Sequence, residues 1–105
     1  KGETSSEIRD RVNRARRAQA ARFSGTGIYS NSRMSSKQLK KFCHVCEDSV
    51  RLLESVVEKL GFSARAYTRI LKVARTIADL EGSDKIAPSH IAEAVQYRTL
   101  DRAVI

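Results

Sequence analysis

Three residues in "GFSARAYTRILKVARTIADLEG" (61–82) have side chains suited to holding an anion: Ser63, Arg65 and Arg69. Ser63 stands where a helix N-cap is expected, which places Arg65 in the first turn of the helix that follows. A cation is unwelcome there, because the helix dipole already leaves positive partial charge at that end. The same end also carries unpaired N–H groups that attract anions. An arginine among them shares their attraction for a phosphate, and Arg69, one turn later on the same side, can add a second donor. A solvated surface arginine is the plainer reading of both, and for Arg69 it is the stronger one. For Arg65 the tight Gly61–Ser63 joint favours the anion, since it exposes the helix end at a bend.

Other chemistry is sparse. Cys43 and Cys46 flank His44 in "FCHVC", but no second cysteine pair exists and His90 alone does not complete a four-ligand zinc site. No metal site is expected. The cysteines read as small apolar side chains near a helix junction, reduced in a cytoplasmic compartment. His44 and His90 read as surface or cap-region residues. Gly25 and Gly27 form a G-x-G without a preceding strand or a third glycine, so a turn explains them. No G-x-x-x-x-G-K-[ST] occurs and no Ser-His-Asp order carries meaning, so this chain is not expected to catalyse a reaction alone.

The charge is unevenly placed. Residues 1–41 hold 11 Lys and Arg against 3 acids, whereas residues 42–105 hold 9 against 9. A basic arm therefore precedes a neutral domain. Within the arm, Arg9, Arg11, Arg14, Arg16, Arg17 and Arg22 surround a narrow apolar stripe of Ile8, Val12 and Ala15. Such a helix leans on a neighbour or lies against something anionic, and arginine suits bidentate phosphate contacts better than lysine does. No apolar run is long enough to span a membrane and no signal-peptide core opens the chain. The first residue is Lys1, which fits a piece of a longer protein or a processed terminus.

The elements that position these residues are helices. Thr4 and Glu7 have capping-box spacing, as have Ser35 and Gln38, with Met34 and Leu39 placed to staple the second start. "SGTGIYSNSRMSS" reads as a linker. A short helix through Cys43 and a longer one over about 47–60 follow. The core stripe of the longer helix is Val50, Leu53, Val57 and Leu60, widened by Leu52 and Val56. Gly61 and Phe62 close it as C′ and C″. The next helix turns Tyr67, Ile70, Leu71, Ala74, Ile77 and Ala78 inward and leaves Lys72, Arg75 and Asp79 as its wet side. Pro88 opens a last helix with Ile91, Ala94, Val95 and Tyr97 or Leu100 as its apolar face. The expectation is an all-α fold: a basic lead helix and linker over 1–34, then a four-helix bundle-like unit over 35–105.

"GFSARAYTRILKVARTIADLEGSDKIAPSHIAEAVQYRTLDR" closely resembles the C-terminal segment of magnesium-chelatase-like AAA+ ATPases, the YifB/ComM family. "SSEIRDRVNRARRAQAARFSGTGIYSNSRM" is similar to the sequence just before it in that family. The resemblance implies that this chain is the helical lid with the segment leading into it, the ATP-binding motifs lying upstream. It implies that Arg65, in "SAR", is the sensor 2 arginine that reaches the γ-phosphate, with Ser63 shaping the corner and Arg69 as a lesser companion. ATP and Mg2+ are then cofactors of the full-length protein, with none expected on this piece, and the partners are the ATPase core and neighbouring subunits of a ring. Loss of charge on hydrolysis would bias the lid's angle. DNA is a further partner of the parent, faced by Arg9, Arg11, Arg14, Arg16, Arg17 and Arg22. These arginines serve equally a stand-alone nucleic-acid-binding module, or a helix docked on an acidic neighbouring subunit. Cys46 stands where the family suggests an acid, which further disfavours zinc.

Overall fold

The computed structural model describes residues 3–43 and 45–104, residues 98–104 as helix backbone alone. Five α-helices succeed one another: α1 (Ser5–Arg22), α2 (Ser36–Phe42), α3 (Glu47–Leu60), α4 (Ala64–Glu81) and α5 (Pro88–Val104), with a 3-10 turn at Asn31–Arg33. The all-α expectation of a lead helix followed by four more holds. Among the described residues there is no strand, only an isolated parallel bridge between Val45 and Ile86. That bridge stitches the α2–α3 connection to the α4–α5 connection, and the Ser49 hydroxyl reinforces it by donating to the Ile86 carbonyl at 2.9 Å.

Local sequence sets the helix boundaries. Thr4 and Ser35 each close a capping box, with Glu7 and Gln38 as reciprocal partners. Met34 and Leu39, the staple positions of α2, both lie in the core. Gly61 adopts φ 66° and lets the Phe62 N–H donate back to the Val57 carbonyl at 3.1 Å, the long bond of a Schellman motif. Gly82 repeats the device at φ 78°, with the Ser83 N–H donating to the Ala78 carbonyl at 2.8 Å.

Helix α4 is the hub: α1, α2, α5 and the 3-10 turn all pack on it. Its Ile70, Ala74, Ile77 and Ala78 meet Leu53 of α3, Ile91 and Ala94 of α5, and Ile86 from the connection before α5. Phe23 and Met34 belong to the same core, and the Phe23 ring stands edge-on to Phe42 at 5.4 Å between centroids. The Gly/Ser stretch read as a linker is therefore packed structure. Phe23, Asn31 and Met34 all lie inside, and the segments before and after residue 35 share one core.

The wet side assigned to α4 needs correcting. Arg75 and Asp79 are 1% and 3% exposed. Arg75 follows Leu71 by four positions and precedes Ala78 by three, on the flank of the apolar arc, and α1 with the 3-10 turn covers that flank. Leu60 is 49% and Tyr97 51% exposed, so the stripes of α3 and α5 end short of them. Leu100 lies outside the described side chains and His44 outside the described residues. His90 is buried rather than at the surface, and it acts as a cap. Its Nδ1 accepts the Ala87 N–H at 2.9 Å, which leaves the ring proton on Nε2 to be donated to Glu81 at 2.8 Å.

Candidate functional site

The α3–α4 corner is built by three consecutive devices. Gly61 ends α3 in the left-handed region, Phe62 folds back, and Ser63 at φ −76°, ψ 170° starts α4. The Ser63 hydroxyl accepts the Ala66 N–H at 3.2 Å, and its carbonyl accepts the Tyr67 N–H at 3.0 Å. The N–H groups of Ala64 and Arg65 have no helical carbonyl one turn behind them, and both residues are exposed. Arg65 and Arg69 are both exposed, and neither makes a hydrogen bond or ion pair with another described residue. No acid lies in the first turn of α4 to offset the cation. The corner thus joins free N–H groups, the positive end of an 18-residue helix and two unengaged guanidinium groups. Its chemistry is that of an anion receptor.

The far end of α4 has the opposite character. Asp79 receives Arg22 through two bonds of 2.7 and 2.8 Å, Asn31 at 2.9 Å and Arg75 at 3.1 Å. Arg75 in turn donates to the carbonyls of Ser83 and Asp84 at 2.6 and 2.8 Å. Burial pushes the Asp79 carboxyl upward, but hydrogen bonds from Arg22 and Asn31 and the charges of Arg75 and Arg22 outweigh it, holding the group below its ordinary value. The Arg22 guanidinium is raised chiefly by the same hydrogen bond. Sequence reading missed Asn31 altogether and placed Arg22 on an outer face. The visible signal was the i,i+4 spacing of Arg75 and Asp79, which says nothing about what covers the pair.

The six lead-helix arginines divide into two sets. Arg22 is engaged by Asp79, Arg14 donates to the Leu80 carbonyl at 3.0 Å, and Arg11 pairs with Glu3. Arg9, Arg16 and Arg17 are exposed and unpaired among the described residues. Cys43 is buried and its thiol is raised by that burial. Cys46 is half-buried at the α3 N-cap, and its thiol is lowered by the Ser49 hydroxyl at 3.1 Å and by backbone N–H groups of the first turn. Among the described residues no group of three or more His, Cys, Asp or Glu could hold a metal ion, and no helix is long and apolar enough to cross a membrane.

A helical bundle of this kind is consistent with a helical lid domain. The family model described as magnesium chelatase, subunit ChlI C-terminal, matches residues 2–98, and the chain belongs to that family. It is 42% identical over its whole length to the uncharacterized protein YifB of Salmonella typhimurium, of which it covers 20%. It is 42% identical, over 97% of its length, to the competence protein ComM of Haemophilus influenzae, of which it covers 19%. It is 40% identical, over 99% of its length, to the uncharacterized protein YifB of Escherichia coli, of which it covers 20%. The chain thus spans about a fifth of the length of these relatives.

Proposed function

We propose that this chain is the C-terminal lid of an AAA+ ATPase and that Arg65 is its sensor 2, contacting the γ-phosphate of ATP held by an upstream core domain. The observation that carries the reading is the state of Arg65: exposed, unpaired, and standing in the first turn of α4 beside free N–H groups. Such a cation gains nothing from its own helix, where it opposes the dipole by about 0.3–1 kcal/mol. It gains only from an anion brought to the corner. Ser63 fixes the direction in which α4 starts, and Arg69 is placed to add a second contact. ATP and Mg2+ are held by the core, and the lid closes over them and takes part in the contact between subunits of a ring in the cytoplasm.

The fold supports this division of labour. The guanidinium sits on a rigid helix whose far end is bolted to α1, so a pull from phosphate moves a body rather than a side chain. The test is Arg65→Ala in the full-length protein. ATP turnover is expected to fall by about a hundredfold or more, the scale of losing one charge-stabilising donor, while the 105-residue chain keeps its helical circular dichroism. Turnover equal to that of the unaltered protein overturns the assignment.

A further inference from the structure

The joint between α2 and α3 holds a pair of groups that the α4 corner does not use. Cys43 caps the end of α2 and Cys46 the start of α3, three positions apart in C-x-x-C order, and both thiols are free. Their settings differ. Cys46 is half-buried at the start of a 14-residue helix, where the dipole and nearby backbone N–H groups favour a thiolate. Its sulfur lies 3.1 Å from the Ser49 hydroxyl. That hydroxyl has one proton and two claimants, since the Ile86 carbonyl also accepts from it at 2.9 Å. While Cys46 is a thiol, the Ser49 proton goes to Ile86 and the S–H donates to Ser49; as a thiolate, the sulfur competes for that proton. Cys43 is only 9% exposed, and burial keeps it a thiol, partly offset by the charges of Arg75 and Arg22. It lines a hollow of about 430 Å³ together with Ser36, Leu39, Lys40 and Val50, which gives a small molecule a way in.

An accessible thiol poised as thiolate and a sheltered one three residues before it are the two halves of a thiol switch: the first meets the oxidant and the second resolves it. A capping thiol alone would supply only the first half. A disulfide needs its Cα atoms within about 7 Å, whereas three extended residues span about 10 Å, so the chain between the cysteines has to bend. Cys43, at φ −98° and ψ 85°, is close to the conformation of an inverse γ-turn and supplies a bend. We propose that Cys46 and Cys43 form a reversible oxidation site for hydroperoxides, closing to an intrachain disulfide. The Cys46 thiolate attacks one peroxide oxygen, the O–O bond breaks, and the departing oxyanion takes a proton from solvent. Sulfur gives up two electrons and becomes a sulfenic acid. The Cys43 sulfur then attacks the Cys46 sulfur, the S–O bond breaks, and the leaving hydroxide departs as water with the Cys43 proton. In sum, two thiols and hydrogen peroxide give one disulfide and two waters, and a thiol reductant reverses the step. Where thiols are kept reduced such a bond is transient, which is the usual form of a sensing disulfide. Val45, between the cysteines, carries the bridge to Ile86, and Ser49 bonds the same residue. A ring closed across Val45 therefore acts on the link between α3 and the connection leading into α5. The proposal is independent of the reading of Arg65.

The experiment treats the reduced 105-residue chain with hydrogen peroxide and follows it by intact mass and by capture with dimedone, which marks sulfenic acids. The unaltered chain should lose the mass of two hydrogens as a monomer, capture little dimedone, and return to its starting mass with dithiothreitol. Cys43→Ser should instead stop at the sulfenic acid and capture dimedone on Cys46, with Cys43→Ala as the second form should a buried hydroxyl unsettle the fold. Cys46→Ser should be oxidised about tenfold or more slowly than Cys43→Ser, the scale on which a thiol held by a helix start outruns a buried one. A purely structural role for either cysteine would move the melting point but would not move dimedone capture from one variant to another. A monomer that keeps its two hydrogens under peroxide overturns the proposal. So does oxidation of Cys46→Ser as fast as that of Cys43→Ser, equal dimedone capture by the unaltered chain and Cys43→Ser, or a disulfide formed only between chains.

Discussion

Asp79→Ala removes the acceptor on which four donor contacts converge: two from Arg22, one from Asn31 and one from Arg75. The Arg75 side chain is 1% exposed and that of Arg22 14%, so neither can turn to water without opening the fold. Removing one partner of a buried ion pair typically costs about 3–5 kcal/mol, because the remaining charge is left desolvated. A domain of this length has about 5–15 kcal/mol in all, so the substitution should consume a large part of it. The assay is urea unfolding followed by circular dichroism, with Arg51→Ala as the comparison. Arg51 reaches Glu47 at 3.1 Å with both side chains more than 60% exposed, and its loss should cost under about 1 kcal/mol. The double variant Arg22→Ala/Asp79→Ala should depart from additivity by about 0.5–3 kcal/mol. The sign of the acid response follows from the depressed carboxyl. A group held below its unfolded value stabilises at all pH above that unfolded value and loses the contribution as pH falls through its folded value. Asp79→Ala should therefore flatten the acid limb of the stability profile. A loss below about 1 kcal/mol, with an unchanged acid limb, would refute the account of a buried ion-pair network centred on Asp79.

Three further outcomes follow from particular contacts. Arg65→Glu in the isolated chain should raise its stability by about 0.3–1 kcal/mol, since an acid suits the start of α4 and no contact is lost; a thermal melt shows it. Gly61→Ala should cost about 1 kcal/mol, visible as a melting point lower by several degrees, because the strain lies in the φ of 66° and an added Cβ would meet nothing. Iodoacetamide should label Cys46 well before Cys43, as mapped by peptide mass spectrometry over a pH series: the Cys46 thiol is lowered and half-exposed, whereas Cys43 is buried and raised.

What could be read in advance was whatever depends on near neighbours in the chain. Both capping boxes and the Gly61–Phe62 reversal depend on residues within five positions of one another, and each appears as expected, as does the order of five helices. Arg65 was placed correctly at the start of α4 for the same reason. The errors cluster where a distant segment decides the environment. Arg75 and Asp79 have the spacing of a surface ion pair, and only the return of Arg22 and Asn31, 57 and 48 positions away, turns them into an interior one. The stretch from Ser24 to Ser36 has the composition of a linker, yet Asn31 has a buried role that composition does not reveal, donating to both Thr76 and Asp79. His90 reads as a surface or cap-region residue and does cap α5, but its burial depends on Glu81, at the end of α4 on the other side of a connection whose path the sequence does not specify.

The two ends of α4 acquire a joint meaning from its length. Eighteen residues make a rod of about 27 Å, with Arg65 in its first turn and Asp79 in its last. A rod packed on four sides does not bend at its middle, so a displacement of one end has to appear at the other. At the Asp79 end the attachments are charged and hydrogen-bonded: Arg22 and Asn31 on the carboxylate, and Arg14 on the Leu80 carbonyl. Lys72 adds one more partway along, donating to the Ser32 carbonyl at 3.2 Å. All four donors or acceptors outside α4 lie before residue 35, and they fix α1 and the 3-10 turn to the helix that bears Arg65. A force exerted by an anion at the α4 corner therefore acts on α1 and the 3-10 turn as well as on α4. Cutting the Asp79 attachment should loosen that coupling, leaving the Arg14 and Lys72 contacts to carry it.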